Sequence, residues 1–161
     1  YNDGPVAIRY PRGSGTARRI NKTFRPLEFG RAEILTKGGD VTVLAVGETA
    51  PSAVEAAHLL AAEGIGAKVV NMRFVAPLDT EVLDDTAAAG TPVVTIEENM
   101  LAGGFGASVM EYFMAKTAVP RLIMIGIPGE FSPAAPRSRL LKRYGFDAES
   151  IASTIRKAVK P

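Results

Sequence analysis

The sequence predicts an α/β domain of three layers, with a mostly parallel sheet of about five strands between helices and one edge strand antiparallel. Three observations carry this. From Val41 onward, short β-branched runs alternate with stretches of helical apolar spacing. Asp, Thr or Pro stands where those helices should begin and Gly where they should end. Gly38-Gly39-Asp40 separates residues 31–37 from 41–46. A short Gly-rich turn of that kind predicts a hairpin, with the first strand antiparallel to the second and at the sheet edge.

In chain order, residues 5–10 (PVAIRY) alternate and read as a strand, which Pro11 to Gly15 break. Residues 16–30 carry Arg18, Arg19, Lys22 and Arg25 without a clear period and read as a surface linker. After the predicted hairpin, Ala53, Ala56, Ala57, Leu60 and Ala61 mark one helical face, with Thr49 as cap, Pro51 in the first turn and Gly64 as stop. Residues 67–71 form the next strand. Asp79 caps a helix that Gly90 ends, with Val82 and Leu83 inward. A buried strand at 93–97, a helix over 105–116 and a strand at 121–125 follow. Two helices close the chain, at 136–144 and 148–160, the second capped by Asp147.

The 161 residues suit one domain with a sizeable core. Nineteen basic residues against seventeen acidic ones leave a net charge of +2, without the basic, aromatic-studded stripe of a nucleic-acid binder. With no cysteine, disulfides, thiolate catalysis and cysteine-ligated metals are excluded, and a single histidine, His58, argues against a histidine-based metal site or triad. No apolar run approaches the ~20 residues of a membrane span, and residues 1–5 lack the features of a signal peptide. The chain opens on Tyr1 and almost at once enters a strand, so it reads as a fragment or processed product of a longer protein.

In an open parallel sheet, ligands gather at the carboxyl ends of the strands. That places Gly47-Glu48-Thr49, Met72-Arg73-Phe74 and Glu97-Glu98-Asn99 on one rim. Glu97 and Glu98 could act as an acid/base pair, but neighbours on a strand point to opposite faces, which favours structural or interface roles. Gly103-Gly104-Phe105-Gly106 opens a helix and reads either as an anion cradle or as a tight turn close to the sheet. Arg9 and Arg12 flank Tyr10-Pro11; a guanidinium on such a turn suits a phosphate, but the residue pattern alone favours an ion pair or a solvated loop arginine. His58 reads as a surface residue, and Met100, Met110, Met114 and Met124 as packing residues. No catalytic residue and no metal ligand is assigned within the chain.

Read in order, RYPRG (9–13), VVNMRFVAPLD (69–79), VTIEEN (94–99), GGFGASVMEYF (103–113), IGIPGEF (125–131) and GFDAESI (145–151) resemble the end of the 1-deoxy-D-xylulose-5-phosphate synthase family, over nearly the whole chain. Transketolases and the beta subunits of 2-oxo acid dehydrogenases share that C-terminal domain more distantly. The resemblance implies residues 1–15 as the last strand of a preceding pyrimidine-binding domain, 16–30 as a linker and 31–161 as a transketolase-like C-terminal domain. It implies a transferase that condenses pyruvate with glyceraldehyde 3-phosphate, losing carbon dioxide, for isoprenoid, thiamine and pyridoxal synthesis. Thiamine diphosphate and Mg2+ would sit in the missing N-terminal and middle domains of a homodimer, leaving this fragment inactive and without cofactor. The compartment implied is the bacterial cytoplasm, or a plastid in a plant. Arg12 would lie near the phosphate of the aldehyde substrate, with Arg73, Glu97, Glu98 and Asn99 at the rim or interface. Residues 131–136 depart from the family pattern, lacking its His-Gly pair. The alternatives are a non-catalytic regulatory or docking module and the C-terminal domain of another transketolase-like enzyme.

Overall fold

The structure, a computed structural model, describes residues 4–10, 26–116 and 119–159. Its elements are β1 (Glu33–Thr36), β2 (Val41–Ala45), α1 (Thr49–Ala61), β3 (Ala67–Asn71), α2 (Thr80–Ala89), β4 (Val93–Met100), α3 (Phe105–Met114), β5 (Leu122–Ile127), α4 (Arg137–Arg143) and α5 (Ala148–Val159). The strands form one sheet in the order β1-β3-β2-β4-β5. Only β1 runs antiparallel to its neighbour, and it lies at the edge. The sheet is thus the mixed, mostly parallel one that the sequence predicts.

The partner of β1 is not the predicted one. It pairs with β3, Glu33 opposite Asn71 and Ile34 opposite Val70, and not with β2. The Gly38-Gly39-Asp40 turn therefore crosses the start of β3. A Cβ on Gly38 would stand 2.5 Å from Ala67 N, so only glycine lets the two backbones pass. Asp40 fixes the crossing by accepting the Gly66 amide at 2.6 Å. The turn residues encode a close backbone approach, which a hairpin reading of the same letters misses.

Each face of the sheet builds its own core. Val41, Val43 and Ala45 of β2 pack with Ala53, Ala56, Ala57 and Leu60 of α1 and with Ile151, Ala152 and Ile155 of α5. Leu44, one residue out of phase, packs on the opposite side with Leu83 of α2 and Phe105, Val109 and Phe113 of α3. All five residues of β2 are buried, as a central parallel strand covered on both faces requires. The alanines of α1 let that helix lie close to the sheet. On α3 the inward positions are 105, 109 and 113, which turns Met110 and Met114 outward. With Met100 also exposed, three of the four methionines expected to pack do not.

Residues 5–10, expected as a strand, form none, and Val6, Ile8 and Tyr10 are exposed. A strand exists only through a neighbour's backbone hydrogen bonds, and none of the described strands offers them here. The expected linker is described only from Pro26, and it ends docked: the Phe29 and Phe74 rings meet edge-to-face at 5.5 Å.

Asp79 fastens this docked end to the domain. Its side chain accepts Val82 N at 3.3 Å as the cap of α2, and Ala32 N at 2.8 Å. Arg31 pairs with it at 3.4 Å and also contacts Glu81 and Glu28. Burial of Asp79 raises its pKa, but the two amides and Arg31 together outweigh burial and hold the carboxyl below its ordinary value. Its contribution is therefore complete above the unfolded value of about 3.9 and disappears as pH falls through the lower folded value. Asp79→Ala should cost about 2 kcal/mol, the sum of a lost cap and a lost backbone tether. In urea melts at neutral pH and at pH 3, the difference between the two proteins should shrink at the lower pH; a constant difference would contradict the clamp.

Candidate functional site

Four strands run parallel, so their carboxyl ends share one edge of the sheet, and Val46–Thr49, Met72–Phe74 and Glu97–Met100 lie along it. The chain reverses its direction of travel across the sheet between β2 and β4, where an open α/β sheet normally has its ligand crevice. Here the crevice is filled from within. Thr49, expected to cap α1, instead turns its hydroxyl into the gap, 2.9 Å from Val46 O and 3.2 Å from Ile96 O. Glu48 takes the cap position without a side-chain hydrogen bond.

Glu97 closes the other side. The residue is 2% exposed, and its carboxylate accepts Phe105 N at 2.7 Å and Gly106 N at 2.8 Å. The glycine-rich start of α3 is thus an anion site, and its anion is the chain's own Glu97. A Cβ on Gly104 would stand 2.5 and 2.6 Å from the Glu97 oxygens, and one on Gly106 would stand 2.7 Å from Thr95 Oγ1. The glycines admit this internal carboxylate to the helix, so a diphosphate does not fit there. Both readings of this glycine-rich stretch hold, since it is a tight approach to the sheet and its amides bind an anion, but that anion is Glu97, eight and nine residues before the two amides.

Glu98 points elsewhere. Its carboxylate meets Arg137 Nη2 at 2.6 and 2.9 Å, and its carbonyl accepts Arg9 Nη2 at 2.8 Å. Glu97 and Glu98 therefore do not form a pair: one is buried under α3, the other faces α4 and residues 5–10. Asn99 is exposed beside them. Arg73 takes φ 51°, a conformation uncommon for a side chain of its size. Its Nη2 reaches Ala32 O at 3.4 Å and Glu33 at 3.5 Å, while its Nε is buried with no partner among the described residues. Strain and an unpaired buried donor together mark Arg73 as the rim residue least explained by packing. His58 is exposed on α1. Arg12 lies outside the described residues. Among the described residues no three His, Cys, Asp or Glu side chains could together hold a metal ion.

The fold and its filled switch point define a class: a three-layer α/β domain with a polar rim at the carboxyl ends of four parallel strands. Residues 30–151 match the family model of the transketolase C-terminal domain, and the chain belongs to that family. It is 41% identical over 96% of its length to a 1-deoxy-D-xylulose-5-phosphate synthase of Chlorobium phaeovibrioides, and 43% identical over 94% to that of Chlorobaculum tepidum. It spans about a quarter, 24%, of either relative. A solved split gene transketolase, described as an inactive beta4 tetramer, superposes with a TM-score of 0.76 at 36% identity, over 87% of this chain and 46% of that one. Transketolase from Leishmania mexicana gives a TM-score of 0.59 at 26% identity, over 80% of this chain and 18% of that one.

The internal cap is open to a direct test. Glu97→Gln keeps the shape but turns an NH2 group toward one of two amides, and should cost about 1–3 kcal/mol. Gly104→Ala should cost more, because its methyl would overlap the Met100 carbonyl oxygen as well as the carboxylate. Thermal unfolding should rank the wild type above Glu97→Gln and Glu97→Gln above Gly104→Ala; a Glu97→Gln protein as stable as wild type would remove the carboxylate from its assigned role.

Proposed function

We propose that this chain is the C-terminal part of a thiamine diphosphate-dependent synthase that condenses pyruvate with glyceraldehyde 3-phosphate, losing carbon dioxide, to 1-deoxy-D-xylulose 5-phosphate. The observation that carries this is identity of 41–43% along 94–96% of the chain to proteins of that name. The product would serve isoprenoid, thiamine and pyridoxal synthesis. The parent enzyme is read as a homodimer in the bacterial cytoplasm, or in a plastid if the source is a plant. No helix of the described residues is long and apolar enough to cross a membrane.

Within that enzyme the domain is a scaffold. Its most buried acids are engaged, Glu97 by α3 and Asp79 by α2 and Ala32, which suits support better than proton transfer. Thiamine diphosphate and Mg2+ would be held by the N-terminal and middle domains, since the glycine-rich start of α3 is already filled. The chain alone would then be inactive. Arg12 supplies a cation to the phosphate of the aldehyde substrate, and Arg73, Glu98 and Asn99 face the neighbouring domains. A second arrangement is favoured by the likeness to the split gene transketolase: the same domain encoded as part of a separate subunit and completed by a partner chain.

Arg12→Ala in the assembled synthase should lower kcat/KM for glyceraldehyde 3-phosphate about 10- to 100-fold, the loss of one or two charge-assisted hydrogen bonds. The KM for pyruvate and the melting temperature should hardly move, and Arg12→Lys should recover part of the loss. Equal losses for both substrates would instead make Arg12 a structural anchor. Titration of the isolated chain with thiamine diphosphate and Mg2+ should give no saturable heat, and micromolar binding would place the cofactor site here after all.

A further inference from the structure

Thr49 and Glu97 fill the switch point, but the carboxyl end of β5 is left open. A cavity of about 130 Å³ lies there, between Ile127, the last residue of β5, and helix α4. From α4 and its C-cap, Arg137, Leu140, Leu141 and Tyr144 line it. That spacing, i, i+3, i+4 and i+7, is the helix face that normally closes on a core. Here no residue of α4 is buried, and the stripe borders open space instead.

The lining has an apolar part and a polar part. Ile127 and Phe146 join the two leucines, and Phe146 is buried in the first core, so this wall is firm. On the polar side, Arg137 holds both Glu98 oxygens through Nη2 alone, at 2.6 and 2.9 Å. Its Nη1 and Nε therefore keep their hydrogens, with no partner among the described residues. Ser132 Oγ and Tyr144 Oη lie 2.9 Å apart. One hydroxyl hydrogen is used in that bond, which leaves the other O–H free to donate. Donors without acceptors thus stand beside an apolar wall, the composition of a small-molecule site. The charge at the mouth has the same sense. Of the cations on α4, Arg137 pairs with Glu98 and Arg143 with Glu130, while Arg139 and Lys142 have no acidic partner among the described residues.

We propose that this cavity binds a small organic anion, a carboxylate carried on a ring or a short branched chain. Arg137 and the Ser132–Tyr144 hydroxyl pair hold the charged end, and Leu140, Leu141 and Ile127 hold the apolar body. The size is suitable, since about 130 Å³ is close to the ~150 Å³ of an apolar cavity that takes up benzene. The unpaired cations of α4 raise the local concentration of an anion at the mouth. Ser132 belongs to residues 131–136, where the chain departs from the family pattern. The site makes no use of the thiamine chemistry proposed above and stands or falls apart from it.

Benzoate is the probe, titrated into the chain and followed by NMR. Binding should saturate with a Kd of about a millimolar or lower, as suits a ligand so small. The amide shifts that move should centre on Ser132, Leu140 and Tyr144. Benzyl alcohol keeps the body without the charge, and acetate keeps the charge without the body; each should bind about 10-fold more weakly or worse. Arg137→Gln should weaken benzoate about 10-fold, whereas Lys142→Gln, a cation off the cavity face, should weaken it less than about 3-fold. Leu140→Phe should fill the cavity and abolish binding. If that protein does not fold, Ser132→Ala, at an exposed position, should still weaken benzoate about 3- to 10-fold. Absence of saturation, or shifts centred elsewhere, would remove the site. Equal binding of benzoate and benzyl alcohol would leave an apolar cavity with no preference for an anion. Equal losses in Arg137→Gln and Lys142→Gln would reduce the recognition to a general field. Binding that disappears in the assembled synthase would make the cavity a seat for a neighbouring domain, and would overturn the proposal as well.

Discussion

Two backbone amides at the start of α3 face the Glu97 carboxylate, and the shape of the rim depends on that contact. A helix that begins against a sheet leaves its first amides without partners. In many α/β proteins a ligand phosphate satisfies them. Here strand β4 supplies its own anion, which draws α3 onto the sheet and requires glycine at 104 and 106. Once α3 is seated, Phe105, Val109 and Phe113 complete one core, and Met110 and Met114 are turned to the surface. The sealed crevice, the second core and the exposed methionines share this cause.

The same substitution of internal groups for ligands recurs at Thr49 and Asp79. Thr49 gives up a helix cap to bridge β2 and β4. Asp79 keeps its cap and adds the backbone of Ala32, which ties the chain just before β1 to α2. In each case a polar side chain buried to within a few per cent is satisfied by main chain, which is the condition for burying it at all. Polar groups that would carry chemistry in an open site are consumed in holding the rim rigid.

Most of the fold was legible in the sequence, because its signals are local. The α1 stripe, the Asp79 and Asp147 caps, the glycine stops and the β-branched strands each report their own few residues. What was misread is what depends on distant partners. The Gly38-Gly39-Asp40 turn looks like a hairpin until Gly66 and Ala67 are seen beneath it. Residues 5–10 carry a strand's alternation, but alternation does not supply a neighbour. The separation of Glu97 from Glu98 was readable from strand geometry, whereas the amides that engage Glu97 were readable only as a generic glycine-rich helix start. Of the rim residues, Arg73 had no signal at all for its left-handed backbone, since a positive φ at arginine is imposed by its surroundings.

The unequal treatment of the two adjacent glutamates shows how one strand end serves two purposes. Strand pleating sends Glu97 and Glu98 to opposite sides, and the loss of register with β5 begins at this point. Inside, Glu97 has no freedom: two amides, a glycine-lined wall and near-complete burial fix it. Outside, Glu98 is held only by charged groups at the surface, Arg137 on its side chain and Arg9 on its carbonyl, beside a cavity. The first arrangement is stiff because its partners are backbone. The second is adjustable because both its partners are long side chains, and each belongs to a segment outside the sheet.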